Sequence, residues 1–140
     1  MNVQPYLFFA GTCQQAMDFY CDTLGAEVQF KMTFAEAPQP SAGADCPAAP
    51  SNGIMHANLL IGSSQVMMSD DPSAEQNAHS GYALSIVSED LEQAKAWFDG
   101  LSAGGSVRMP WGETFWAQGF GMLTDRFGVP WMVNVEKKAQ

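Results

Sequence analysis

The sequence predicts an α+β protein made of two tandem modules, each running strand, helix, then three strands. The first reason is an internal repeat: at an offset of 78, Thr12 meets Asp90, Gln15 meets Gln93, Ala16 meets Ala94, and Phe19-Tyr20 meets Trp97-Phe98. One extra residue then aligns Gly25 with Gly104 and Val28 with Val107. The second reason is periodicity, because each half holds one stretch of helical spacing among short runs that alternate with period two. The third is size: 140 residues, 46% hydrophobic and 15% charged, form one compact domain able to bury about two-thirds of its unfolded surface. The modules are expected at about residues 1–72 and 80–140. Either one alone, a four-strand sheet with one helix, has a small core. Side by side they would make a curved eight-strand mixed sheet around a cleft.

In chain order, Val3 to Phe9 is a β-type run ended by Gly11, and Thr12 to Gln15 has the capping-box pattern that opens a helix. Cys13, Ala16, Met17, Tyr20 and Leu24 then fall at helical spacing, and Gly25 supplies the left-handed cap. A strand follows from about Glu27 to Phe34. Residues 35–53 are rich in proline, alanine, serine and glycine without apolar period, and predict a mobile loop that could serve as a pocket lid. Ile54 to Ile61 alternates, with His56 and Asn58 on one face, and Gly62-Ser63-Ser64 turns into Gln65 to Ser69.

The second half begins with a strand from Tyr82 to Val87. Asp90 to Gln93 repeats the cap pattern ahead of Leu91, Ala94, Phe98 and Leu101. Thr114 to Leu123, rich in aromatic residues with glycine interleaved, pairs with Trp131 to Val135 across the turn Thr124-Asp125-Arg126-Phe127-Gly128. Period two puts Thr114, Trp116, Gln118 and Phe120 on one face of the first of these strands and Met132 with Asn134 on one face of the second. Aromatic bulk mixed with a few hydrogen-bonding groups is the make-up of a small-molecule pocket.

Charge and cysteine content exclude several classes. A formal net charge of −9 opposes nucleic acid and anionic membrane as partners, since both need clustered Lys and Arg. No stretch has the length and apolarity of a signal peptide or a membrane span. The three cysteines include no Cys-x-x-Cys pair, and Cys13 and Cys21 stand about two turns apart on one helix, beyond bridging distance. A soluble protein of the reducing cytoplasm is expected.

Several motifs carry a family resemblance. Pro5-Tyr-Leu-Phe-Phe9, Ala16-x-x-Phe-Tyr20, Met55-His-Ala57 with Met68-Ser-Asp70, Glu113-Thr-Phe-Trp116, and Thr124-Asp-Arg-Phe-Gly-Val-Pro-Trp-Met-Val-Asn134 resemble the PhnB-like branch of the vicinal-oxygen-chelate superfamily. That superfamily includes glyoxalase I, extradiol dioxygenases and the bleomycin and fosfomycin resistance proteins. The likeness spans nearly the whole chain. Some members carry the label 3-demethylubiquinone-9 3-methyltransferase, an activity not carried over here, because no glycine-rich strand-to-helix loop is present to hold a methyl-donor nucleotide.

The resemblance implies a divalent metal held by His and Glu from the first and last strands of each module. Here those positions fall on Pro5, near Gly81, near Met68 to Asp70, and on Asn134. Proline, glycine and asparagine do not supply the imidazole and carboxylate set that such an ion wants, so no metal and no other cofactor is expected. The expected function is binding of a small organic ligand in a pocket of His56, Asn58, Met68, Trp111, Trp116, Gln118, Trp131 and Asn134. The alternative is an enzyme, without metal or with a relocated one, whose candidate groups are His56, Asp70 and Glu113; His79 sits in a polar linker. The family pairs modules between subunits, which implies a homodimer.

Overall fold

A computed structural model describes residues 1–36, 52–71, 73 and 79–137. The expected lid, for residues 37–51, lies outside them. The chain divides into two compact units, Met1–Gln76 and Asn77–Gln140.

The first unit runs β1 (Tyr6–Phe9), α1 (Cys13–Leu24), β2 (Glu27–Thr33), β3 (Ile54–Ile61) and β4 (Ser64–Asp70). The second repeats the plan with β5 (Leu84–Val87), α2 (Leu91–Ser102), β6 (Ser106–Gly112), β7 (Ala117–Thr124) and β8 (Pro130–Glu136). The ladders are two sheets of four strands, ordered β1-β4-β3-β2 and β5-β8-β7-β6, one for each expected module. Each sheet is mixed: β1 runs parallel to β4 and β5 to β8, while the remaining neighbours are antiparallel.

In each unit the helix covers one sheet face. Helix α1 buries Cys13, Ala16, Met17 and Tyr20, the spacing that keeps one stripe inward. They meet the face carrying Leu7, Phe9, Ala57, Leu59, Val66 and Met68, all at most 5% exposed. Gly25 caps the helix at φ 68, as its lack of a Cβ allows. The opening of α1 departs from expectation. Thr12 sits at φ −113, ψ 14 and its side chain makes no cap hydrogen bond, while the first amide of the helix, Cys13 N, donates at 2.9 Å to Asp70 Oδ1 from β4. Asp70 Oδ2 accepts from Ile54 N at 2.9 Å, so one buried carboxylate ties the start of α1 to the start of β3.

In the second unit Asp90 caps α2 as expected, accepting from Gln93 N at 3.1 Å. Helix α2 buries Ala94, Phe98 and Leu101 against β7 and β8. The glycines interleaved in β7 owe their place to this packing. A Cβ on Gly119 would come 2.3 Å from Trp111 Cζ2, and one on Gly121 2.5 Å from Phe98 Cε2. The β7–β8 turn is organised by Asp125, which accepts from Phe127 N, Val129 N and the indole nitrogen of Trp131. Edge strand β6 accommodates Pro110, where no inner-ladder amide is lost.

Candidate functional site

With one face of each sheet covered by its helix, the other is open in the sense that no helix of its own unit covers it, and strand register shows which side chains share it. On the first sheet Tyr6, Met67, Asn58 and Phe30 stand in one cross-strand row, because Tyr6 pairs with Met67, Met67 with Asn58, and Asn58 with Phe30. His56 belongs to the same face. Its Nδ1 shares a 3.1 Å hydrogen bond with the Tyr6 hydroxyl, and the Phe30 ring centroid lies 5.8 Å from the imidazole. Phe8 stacks on Tyr6 at 4.8 Å. Within this group Asn58 Oδ1 is buried and has no hydrogen-bond partner among the described residues.

On the second sheet the corresponding row is Val87, Asn134, Phe120 and Gly112, beside the row Ser85, Met132, Met122 and Met109. Trp116 packs edge-on against Phe120 at 5.3 Å, and Phe115 edge-on against Trp116 at 4.8 Å. Asn134 Oδ1 is also buried without a partner among the described residues. Each open face therefore combines aromatic rings with one carboxamide oxygen that lacks a donor among the described residues. A buried acceptor left in that condition costs on the order of 1–3 kcal/mol, which a binding partner with an N–H or O–H would return.

The expected site residues divide unequally between the faces. His56 and Asn58 share the first open face, while Trp116 and Asn134 share the second with Phe120. Met68 instead is fully buried on the helix face, since it is Met67 that stands between Tyr6 and Asn58. Trp111 and Trp131 also belong to the helix side, Trp111 at 5.5 Å from Phe98 and Trp131 with its indole N–H on Asp125. Neither is a wall beside Asn134. Gln118 occupies a bulge between Ala117 and Gly119, where it donates to the Glu136 carbonyl at 3.1 Å. Asp70 is engaged by two backbone amides, and Glu113 pairs with Lys137 at 3.0 Å. Tyr6, Phe8 and Phe30 share the first face with His56, a grouping the sequence reading does not make. The alternation Tyr6-Leu7-Phe8-Phe9 separates the faces of β1, but only the parallel pairing with β4 brings Tyr6 within reach of His56.

Two further titratable groups are perturbed. His79 Nδ1 shares a 2.7 Å hydrogen bond with the Tyr82 hydroxyl. Burial holds the imidazole below its ordinary pKa, against a smaller upward pull from Asp125, whereas burial and Asp125 both push the Tyr82 phenol up. Burial, with the Asp70 charge nearby, raises the Cys13 thiol far above its ordinary range and leaves it unreactive.

The fold class is that of a known superfamily. Residues 2–133 match the Glyoxalase/Bleomycin resistance protein/Dioxygenase superfamily, to which the chain belongs. Protein YjdN of Escherichia coli K12 is 46% identical over 143 residues, covering 99% of this chain and 97% of YjdN. Protein PA1353 of Pseudomonas aeruginosa has a similar structure, with TM-score 0.84, 39% identity and 99% coverage of both chains. The PhnB protein of Bacillus cereus superposes with TM-score 0.79 at 21% identity, over 96% of this chain and 99% of its own, a likeness of fold. The chain is thus a member of this superfamily that shares its fold with the PhnB protein.

The residues present do not fit the superfamily's divalent metal. Pro5 offers only its carbonyl, which accepts from Met67 N at 3.0 Å, and Asn134 offers a neutral carboxamide among Phe120, Met132 and Val87. Among the described residues no group of three or more His, Cys, Asp or Glu side chains converges to hold an ion. No described helix is long and apolar enough to cross a membrane.

Proposed function

We propose that this protein binds a small organic molecule on its open sheet faces, through aromatic contact and hydrogen bonds to carboxamides rather than through a chelated metal. The observation that supports this is the pair of buried acceptors without a partner among the described residues, Asn58 Oδ1 and Asn134 Oδ1, each in a row with aromatic and apolar side chains. Such acceptors are retained at a cost to folding and gain a partner when a donor-bearing ligand arrives. A homodimer, as the family resemblance implies, and a cytoplasmic location, which suits the acidic balance and unpaired Cys13 and Cys21, belong to the same proposal.

The test is a thermal-shift screen of the intact protein against a panel of small aromatic and amine compounds, with calorimetric titration of Zn²⁺, Ni²⁺, Mn²⁺ and Fe²⁺ alongside. Stabilisation by an organic compound, lost in an Asn134→Leu or Asn58→Leu variant, supports the proposal. Tight one-per-subunit metal binding would replace it with a metal-dependent reading.

One observation favours a second reading. The Tyr6 hydroxyl and His56 Nδ1, hydrogen-bonded at 3.1 Å on an open face, form a pair able to pass a proton to or from a bound substrate without metal. Turnover of a bound compound that is abolished in both Tyr6→Phe and His56→Gln variants, while binding persists, would establish an enzyme.

A further inference from the structure

The open face of the first sheet carries a continuous band of rings that the core of that unit does not use. From Phe8, stacked 4.8 Å from Tyr6, it passes to His56, 5.8 Å from Tyr6, and on to Phe30, 5.8 Å beyond. The band thus crosses from edge strand β1 to edge strand β2, with Tyr6, Phe8 and Phe30 exposed by 37%, 51% and 46%. In the row shared by Tyr6 and Phe30 lies Asn58 Oδ1, buried and without a partner among the described residues.

We propose that this band recognises a small organic cation bearing N–H groups, an ammonium or amidinium, with the rings as its cradle and Asn58 Oδ1 as its acceptor. The proposal rests on the small-molecule reading above and narrows it to a ligand class. Ring faces attract cations through their quadrupole, and a partnerless acceptor is satisfied by a donor. An anion would meet a poor site. Residues 1–76 contain eight acidic side chains against a single lysine and no arginine, and that lysine, Lys31, already donates to Gln14 Oε1 at 3.1 Å. A negative field of this kind concentrates cations and repels phosphonates and carboxylates. The rings, the acceptor and the charge therefore select the same chemistry.

The experiment uses the two histidines as reporters, since the protein gives only two imidazole Cε1–H proton resonances and a His79→Gln variant leaves that of His56 alone. The intact protein is titrated at fixed pH and ionic strength with benzylammonium and, separately, with benzylphosphonate, which carry the same ring and opposite charge. Benzylammonium should move the His56 resonance saturably, at concentrations about tenfold or more below any effect of benzylphosphonate. Asn58→Leu should weaken benzylammonium about tenfold, Phe30→Ala should weaken it as well, and Asn58→Asp should strengthen it. Because Phe30 is exposed, its variant keeps the test open if Asn58→Leu does not fold. Tighter binding of benzylphosphonate overturns the cation and leaves small-molecule binding intact. Silence of His56 toward both probes, while compounds from the thermal-shift panel still stabilise the protein, overturns the band as the site. A His56 resonance that shifts with protein concentration alone overturns the proposal in favour of a second copy of the chain on this face. The lack of any stabilising compound in the panel counts against the broader reading itself.

Discussion

Replacing Asn134 by leucine should make the ligand-free protein more stable, an unusual direction for a change at a half-buried position. Most substitutions destabilise, typically by about 1 kcal/mol. Here the native carboxamide oxygen is buried with no partner among the described residues, which costs about 1–3 kcal/mol relative to an apolar group of similar shape. Leucine fits that description, and its neighbours across the ladder are Val87 and Phe120, which offer apolar contact. The expected gain is about 1–3 kcal/mol, or a rise in Tm of roughly 3–10 °C for a chain of this size. Urea denaturation followed by tryptophan fluorescence reads it as a higher midpoint at unchanged slope. A loss of 1 kcal/mol or more would show that Asn134 is satisfied inside the folded chain, and the reasoning that makes it a ligand group would be wrong.

Other changes should act on the framework. Asp70→Ala leaves the buried Cys13 and Ile54 amides without their acceptor and should cost about 2–5 kcal/mol in urea denaturation, whereas an exposed carboxylate such as Glu113 should be replaceable within about 0.5 kcal/mol. Gly121→Ala places a methyl group against the Phe98 ring and should cost about 1–3 kcal/mol, while Gly112→Ala, with nothing within 4 Å of its Cβ, should be tolerated. His79 supplies a pH dependence. Its folded pKa lies below the ordinary 6.5, so the unfolded chain binds the proton first as pH falls. The stability that neutral His79 contributes is therefore complete above that value and is lost on acidification through it. Between about pH 7.5 and 5.5 the wild type should lose more stability than His79→Gln, and equal losses would remove His79 from the acid response.

Much of the fold is legible in the sequence because its elements carry short-range signals. The alternation over Ile54 to Ile61 matches β3 end to end, Gly25 caps α1 in the left-handed region, and Asp90 caps α2 through Gln93. The expected side-chain cap at Thr12 is absent, and the start of α1 is held by a contact with no local signature, Cys13 N donating to Asp70 57 residues away. The site was less legible than the fold. Period two assigns faces correctly only within an unbroken strand, and the ladders shift register between Val28 and Phe30, between Met109 and Gly112, and between Ala117 and Gly119. Those breaks are why face assignments do not carry from Gln118 to Phe120 by counting alone. For Met68 and Trp131 a shift of one position decides the face, and only pairing partners identify it: Met67 with Asn58, Met132 with Met122. The Tyr6–His56 pair joins residues 50 apart and carries no local signature.

The most direct test measures, by calorimetry, the affinity of the best stabilising compound for the wild type and for the Asn58→Leu/Asn134→Leu double variant. Recognition through the two carboxamide oxygens requires affinity to fall about tenfold or more in a variant that is at least as stable as the wild type. Undiminished affinity in that stable variant would contradict it, and the buried oxygens would have no part in binding.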